Sequence, residues 1–572
     1  MNLHFANIFE AMSDAIPESS CMVQGTRSVS WREFDDAASR LAAALFAAGV
    51  RPNDKVGVYL YNCPEWMVTF YATLKIRAVP VTINYRYIDQ ELGYLLDDCE
   101  ASAVVYHSGF AERMEKVAST RRDRLRLLIQ VDDGSGYSAV ESHITYDSIL
   151  RDFPRREREQ RDPTDSVLIY TGGTTGLPKG VALQVGMTAG GMLMGPLAER
   201  ALGLDRPPGL QFIDFALELH RRGEKRVACP VAPLMHAAGL TLGAIPALCT
   251  GGTIVFLPRP SFEPATLATS IGTHGITTMV IVGDAMARPL IHHLEEARAQ
   301  GIHYDFSSLR VIVTSGVALT TDAQRGLFEF MPDVTILDQA GSTEGGLGHR
   351  RLTKSNYLLN PGFTTFPGVR VLRPDDTDVE PGTGERGLLA CPTVAAGYYR
   401  DAKKTAEVFR EIDGKKYVLA GDWATMEHDG TVVLIGRGSS VINTGGEKVF
   451  AEEVEGIVCT IPGVVDCLVV GTPDERFGQT VTAVVSVRDK GLTGEDIAAG
   501  VRQQLAGYKI PRRIVFVPEV PRSPTGKPDR AQAVRLAKEQ LSGNQSASSQ
   551  SRPQDLQSET RAGIRGARGS AA

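Results

Sequence analysis

Between residues 30 and 341 short apolar runs alternate with amphipathic helical stretches, and this alternation narrows the fold more than any other feature. Ser30 precedes Trp31 and stands three positions before Glu33, a capping box that opens a helix running to Phe46. Asp54–Asn62 (DKVGVYLYN) reads as a buried strand and Glu65–Leu74 as a helix. Val79–Asn84 and Ala101–Tyr106 read as further strands, with the helical stretch DQELGYLLDDC between them. Leu309–Gly316 and Asp333–Gly341 repeat a strand that ends on glycine. Strand–helix alternation of this kind builds parallel sheets covered by helices, so an α/β fold is expected. Polar groups just beyond such strands lie where these sheets bind ligands.

The pattern changes near residue 385. RGLLAC, KYVLAGDWATM and TVVLIGR are short strand-like runs separated by glycine and aspartate turns, a β-rich subdomain closing the first domain at residues 1–437. A second, smaller α+β domain is expected over residues 438–540. It contains the helix AEEVEGIVCTI, the strands VVDCLVVGTPD and QTVTAVVSV, a helix TGEDIAAGVRQQLAG opened by Thr493, and a last strand RRIVFVPEV. Residues 541–572 are rich in Ser, Gln, Gly and Arg and poor in large apolar groups, which predicts a disordered tail.

Sixty-one basic residues against 67 acidic ones give a net charge of -6, which offers no support for nucleic-acid binding. The eight cysteines are scattered without a CxxC pair, against a zinc site or disulfide framework. The N-terminus has no signal-peptide pattern, and no apolar run reaches the ~18 residues a membrane span needs. A soluble cytoplasmic protein is expected.

Tyr170–Gly180 reads YTGGTTGLPKG and follows the strand-like DSVLI. Glycines let several backbone N–H groups turn inward, and such a nest attracts phosphate oxygens. The hydroxyls of Thr171, Thr174 and Thr175 add donors, and Lys179 adds charge. The spacing is not that of the GxxxxGK[ST] loop, because Pro178 occupies the position of its second glycine. A glycine-rich strand-to-helix turn with no ligand has the same composition.

The full string closely resembles the phosphate loop of the adenylate-forming superfamily, which holds acyl- and aryl-CoA synthetases, peptide-synthetase adenylation domains and beetle luciferases. Other stretches resemble its motifs in the same order: PVAPLMHAAG (Pro230–Gly239), TSGVAL (Thr314–Leu319), DQAGSTEGG (Asp338–Gly346), GERGLLACPTVAAGYY (Gly384–Tyr399), GDWATMEHDG (Gly421–Gly430), TGGEKVFAEEVE (Thr444–Glu455) and PRSPTGKPDR (Pro521–Arg530). The resemblance covers about residues 5–540.

It implies a two-step ligase. A carboxylate attacks the α-phosphate of ATP, and a thiol, that of CoA, then takes the acyl group and releases AMP. Lys527 is implied to bridge carboxylate and α-phosphate, Lys179 to handle the β- and γ-phosphates, and Glu344, with Thr175 nearby, to hold Mg²⁺. Thr171, Gly172, Gly173, Thr174, Thr175 and Gly176 are implied to cradle phosphate, and Thr343 to touch the α-phosphate. Gly316, Val317 and Ala318, with Asp338, Gln339, Ala340 and Gly341, fall on the adenine side; Asp422 and Arg437 fall on the ribose. His236 is implied to order the carboxylate pocket and not to act as a base, since a carboxylic acid is already ionised at neutral pH. Gly445, Gly446 and Lys448 are implied to line the thiol arm after the small domain rotates about Ser440.

Four features depart from the family. Gly172 replaces the usual serine, Ser440 the acidic hinge residue, and Ala340 the aromatic residue that stacks on adenine. The segment Arg200–Arg226 is long and reads as a lid, an extra wall or a surface insertion. Together with VPVTINYRYIDQELGYLLDDCEASAVVYH these features resemble the actinobacterial fatty acyl-CoA synthetase branch, which includes ligases for steroid side-chain acids. Val282, Gly283, Ala285, Met286, Ala237, Ala238, Ala340, Gly345 and Gly346 are small or flexible, and a site lined by them would take a bulky apolar acid. Transfer to a carrier protein is the nearest enzymatic alternative, and an inactive ligand-binding homologue the non-enzymatic one. For free CoA, Arg476, Arg502, Lys509, Arg512 and Arg513 are candidate partners of its 3′-phosphate. Oligomeric state is open, and homodimers are common in the family resembled.

Overall fold

The computed structural model describes residues 4–138, 140, 143–171, 178–194, 212–359, 362–437, 441–444, 447–474, 478–488, 491–505, 507–523 and 526–549. The chain divides into two compact units: residues 1–439 with 524–527, and residues 440–523 with 528–572.

The larger unit is α/β. Among the described residues it holds an eight-stranded sheet, a nine-stranded sheet and a smaller β-rich sheet of six strands. In the first sheet Lys55–Tyr59 lies between Val79–Thr82 and Ala101–His107, all parallel. In the second, Val227–Pro230, Thr278–Ile281, Val311–Ser315 and Thr335–Gly341 are successive parallel neighbours. Most of these strands are buried along their length, as their continuous apolar runs require. The third sheet is antiparallel and includes Gly387–Pro392, Asp422–Met426 and Val432–Arg437.

Helix Trp31–Ala47 begins as the sequence predicts: Ser30 Oγ accepts from the Glu33 backbone N–H, and the Glu33 carboxylate accepts from Ser30 N at 2.7 Å. It buries Trp31, Phe34, Leu41 and Leu45 fully, each worth about 1.5–3 kcal/mol. Beneath it lies a buried ionic cluster that no periodicity signals. Lys75 Nζ sits 2.8 Å from Glu10 and 2.7 Å from Asp35, and Arg161 pairs with Glu10 at 2.7 Å. Removing one member would leave its partner charged and unpaired in the core, at a cost of about 3–5 kcal/mol.

The smaller unit is α+β. Val464–Asp474 and Gly478–Val487 form a long antiparallel pair, and Arg513–Phe516 adds in parallel beside the second of these strands. Val441–Thr444 and Glu447–Phe450 pair as a hairpin. Helices Ala451–Val458 and Gly494–Arg502 pack on it, the latter capped by Thr493 and Asp496. The last helix, Arg530–Ser549, enters the segment expected to be disordered. Burial of Ala533 and Ala537 anchors its first turns, and extending a formed helix through residues without proline is cheap. Residues 550–572 lie outside the described residues.

Candidate active site

The glycine-rich loop joins two antiparallel strands. Ser166–Thr171 pairs with Lys179–Gln184, and Thr171 stands opposite Lys179. The strand-to-helix turn weighed from composition is therefore replaced by a hairpin; Gly172, Gly173, Thr174, Thr175 and Gly176 lie outside the described residues. Ala395–Tyr398 adds as an edge strand beside Lys179–Gln184. Lys179 Nζ pairs with Asp401 Oδ2 at 3.1 Å. The Lys404 backbone N–H, and then Lys179, hold the Asp401 carboxyl below the usual range.

Glu344 sits in the turn between the antiparallel strands Thr335–Gly341 and Gly346–Leu352. The turn is closed by Ser342 N donating to Gly345 O at 2.9 Å, and Thr343 lies within it. Tyr398 donates its hydroxyl to Glu344 Oε1 at 2.7 Å, and Thr393 Oγ1 donates to the Glu344 carbonyl. One stretch, Thr393–Asp401, thus ties Glu344 to Lys179. Among the described residues no cluster of three or more His, Cys, Asp or Glu is placed to hold a metal ion. Mg²⁺ needs none when phosphate oxygens complete its shell, and one carboxylate such as that of Glu344 fits it.

Asp338 is buried and its carboxylate faces Arg350 on the neighbouring strand at 2.5 Å. Burial pushes this carboxyl up, against the pull of Arg350. Its side chain is thus committed to Arg350. Gln339 and Ala340 are half-buried; Ala340 packs on the cluster of Leu347 and Phe363, beside Phe366. Asp422 stands opposite Arg437 in register, while the Arg437 side chain lies outside the described residues. Burial, reinforced by Asp422, pushes the Cys391 thiol up to about 12, and a Cβ on Gly345 would lie 3.4 Å from Cys391 Cβ. Asp422 therefore lies on the Glu344 side of the site.

His236 is held by a tightly built loop. Asn62, just past the strand Lys55–Tyr59, donates through Nδ2 to Pro230 O at 2.9 Å and Ala232 O at 3.1 Å, and accepts from Leu234 N at 2.7 Å. A Cβ on Gly239 would come 2.4 Å from the carbonyl oxygens of Ala232 and Pro233, so only glycine fits. Residues Ala238–Ala244 then form a π-helical turn, a deviation frequent at functional sites. The His236 Nε2 atom is buried without a hydrogen-bond partner. Burial lowers its pKa to about 4, helped by the cations Lys527 and Arg86.

Gly316 has φ +87, and Ala318 O accepts from Asp284 N at 3.1 Å. Gly283 must be glycine-like here, because a Cβ would meet Val317 O at 2.3 Å. The stretch Gly316–Ala318 is thereby fixed to the start of helix Gly283–Ala299. Gly526 belongs with this unit, its Cβ position 2.7 Å from Ala285 Cβ and 3.7 Å from Val317. Lys527, Ala285, Val317 and His236 are thus gathered at one end of the parallel sheet.

The small residues considered from sequence for the acyl site pack against several different core clusters. Ala238 and Val282 pack on one cluster, Ala340 on another, and Met286 packs with Leu290 and Leu319 in the helix-covered core. Gly445 and Gly446 lie outside the described residues, as does the Lys448 side chain. Of the basic residues considered for CoA, Lys509 pairs with Glu453 at 2.6 Å and Arg513 with Asp474 at 3.2 Å, while Arg502 and Arg512 line one hollow. Arg476 lies outside the described residues. Sequence reasoning missed Asn62, Tyr398 and Asp401; the one available signal was that polar groups follow strand ends.

A helix-covered α/β domain presenting a glycine-rich hairpin, a carboxylate turn and a histidine loop at its strand ends defines an adenylate-forming enzyme. The chain belongs to the AMP-binding enzyme family: the family model of that description matches residues 9–399, and that of the AMP-binding enzyme C-terminal domain matches residues 453–527. It is 35% identical over 557 residues to a 3-oxocholest-4-en-26-oate–CoA ligase of Rhodococcus rhodochrous, covering 94% of this chain and 96% of that protein. It is 35% identical to a medium/long-chain-fatty-acid–CoA/3-oxocholest-4-en-26-oate–CoA ligase of Mycolicibacterium smegmatis, covering 92% and 95% of the two chains. The crystal structure of the anthranilate CoA ligase AuaEII in complex with anthranoyl-AMP shares the fold, with a TM-score of 0.78 at 23% identity over 95% of this chain and 99% of that one.

Proposed function

We infer that the protein is an ATP-dependent acyl-CoA ligase acting on medium- or long-chain acids or on bulky cyclic acids such as steroid side-chain acids. The observation that carries this is the link from Glu344 through Tyr398 to the strand bearing Lys179 and its partner Asp401. It joins the carboxylate read as the Mg²⁺ ligand and the cation read as the phosphate partner on one frame. The names of the two actinobacterial relatives support the acid class.

The acid carboxylate attacks the α-phosphorus of ATP, and the bond to pyrophosphate breaks. Lys527 neutralises the approaching anions, and Thr343 and the loop N–H groups donate to the phosphates. Glu344, with Thr175, would hold Mg²⁺, which supplies charge neutralisation at the phosphates. Lys179 accompanies the departing pyrophosphate. His236 stays neutral, so it shapes the carboxylate site without adding charge. Asp422 accepts from the ribose hydroxyls, and Arg437 donates there. The CoA thiol then attacks the acyl carbonyl and AMP leaves. In this reading residues 438–540 form the mobile domain, Ser440 is its hinge, and Gly445, Gly446 and Lys448 face the thiol arm. No helix among the described residues is long and apolar enough to cross a membrane, and a cytoplasmic location fits that.

The test is pyrophosphate release and AMP formation with ATP, Mg²⁺ and CoA over acetate, octanoate, palmitate, benzoate and a steroid side-chain acid. CoA-dependent AMP and thioester with the longer or cyclic acids is expected. Pyrophosphate and adenylate without thioester would move the acceptor to a carrier protein.

A further inference from the structure

Among the described residues Lys179 pairs with one carboxylate, that of Asp401, with Nζ 3.1 Å from Oδ2. Unlike the partners in most surface ion pairs, this carboxylate is built into place. Its other oxygen, Oδ1, accepts from Lys404 N at 2.9 Å and caps the helix Ala402–Val408. The Asp401 carbonyl accepts from Thr405 N at 2.9 Å and from Thr405 Oγ1 at 2.8 Å, and Thr405 Oγ1 accepts from Tyr398 N at 3.0 Å. Arg400, just before it, has φ +54, a left-handed conformation uncommon for a residue with a side chain. Tyr399 N donates to Gly180 O at 2.7 Å and ties this corner to the strand that carries Lys179.

The pair stays open to solvent: 21% of the Lys179 side chain and 36% of the Asp401 side chain are exposed. An anion can therefore reach the ammonium, while the cap and the backbone bonds keep Asp401 where it is. A carboxylate fixed beside a cation competes with any other anion for that cation. Lysine carries its charge on a flexible stem, so Nζ can pass between two acceptors without backbone movement.

We propose that Asp401 is the return site of the Lys179 ammonium, a positioning residue that takes the cation back as pyrophosphate leaves. This rests on the reading that Lys179 binds the β- and γ-phosphates. The fixed counter-charge weakens the hold on pyrophosphate, and weakens the hold on ATP through the same contact. Looser ATP binding does not slow an enzyme saturated with ATP, whereas a product held too long limits every cycle.

The test is binding of magnesium pyrophosphate to the full chain, measured by calorimetry, with its release followed by stopped flow. Asp401→Asn removes the charge and keeps the cap, since asparagine caps helices as well as aspartate does. It is expected to bind pyrophosphate about threefold to fivefold tighter than wild type, the scale of one partly exposed ion pair, and to release it correspondingly more slowly. A loss of structure cannot give tighter binding. Glu407→Gln removes a carboxylate from the same helix, one paired with Lys404 instead, and should not tighten it. Lys179→Ala should bind pyrophosphate more weakly, and adding Asp401→Asn to it should change nothing further. Unchanged or weaker binding in Asp401→Asn, equal tightening in Glu407→Gln, or tightening that persists without Lys179 overturns the proposal. Pyrophosphate binding by Lys179→Ala equal to that of wild type would instead sink the phosphate reading of Lys179, and the proposal with it.

Discussion

Tyr398 and Glu344, 54 residues apart in sequence, meet through a 2.7 Å hydrogen bond from the tyrosine hydroxyl to the carboxylate. On the proposed reading Glu344 holds Mg²⁺, and this bond orients its carboxylate for that task. Tyr398→Phe is expected to raise the Mg²⁺ concentration for half-maximal pyrophosphate release about tenfold, the scale of a hydrogen bond to a charged group. A magnesium titration at saturating ATP checks this, and an unchanged midpoint would remove Tyr398 from the metal site.

His236 titrates at about 4 in the folded protein against 6.5 as a free side chain. As pH falls the unfolded chain takes the proton first, so its contribution to stability is whole above about pH 6.5 and is lost on the way to pH 4. Compared with His236→Gln, wild type should lose on the order of 2 kcal/mol more stability across that window. Urea midpoints of both proteins between pH 4 and 7 measure the difference. By the same sign, any acid limb of activity between pH 6 and 8 should survive in the glutamine variant.

Asn62 makes three hydrogen bonds that span the loop carrying His236. Asn62→Ala leaves two carbonyls and one N–H without partners and should cost about 2–4 kcal/mol of stability. On the reading that this loop orders the acid carboxylate, the KM for the acid should rise more than the KM for ATP. Equal shifts in both constants would indicate a general loss of structure.

Gly239→Ala would drive a methyl group against two backbone carbonyls at 2.4 Å. Backbone cannot move aside as a flexible side chain does, so a loss of at least about 2 kcal/mol is expected. Its thermal midpoint, set beside that of a Gly456→Ala control whose Cβ meets nothing within 4 Å, isolates the effect.

Lys527→Ala should lower acid-dependent pyrophosphate release by about a hundredfold or more while leaving ATP binding nearly intact. Lys179→Ala should instead raise the KM for ATP. Single-turnover release with each variant separates the two lysines, and identical defects would argue against distinct roles.

The layered fold was legible because it rests on local rules. The capping box at Ser30 and Glu33, the buried runs around Val56 and Val104, and the glycine after Ser315 each act through their own neighbours. Of the candidate site, the sequence can suggest only what a motif carries in adjacent residues, as around Lys179, Glu344 and Lys527. Asn62 reaches residues 168 to 172 positions away, and nothing in its surroundings in sequence announces that. The motif that puts Asp338 on the adenine side does not announce that Arg350 on the neighbouring strand pairs with its carboxylate.

By itself the sequence determined the α/β class, the smaller α+β unit and the residue types the chemistry requires, since periodicity, capping and turn chemistry are short-range. Only the tertiary structure decided that the strands flanking the glycine-rich segment pair as a hairpin, that Tyr398 bonds to Glu344, and that Asn62 ties down the loop carrying His236. Those depend on which strands become neighbours and on which polar groups burial leaves without water.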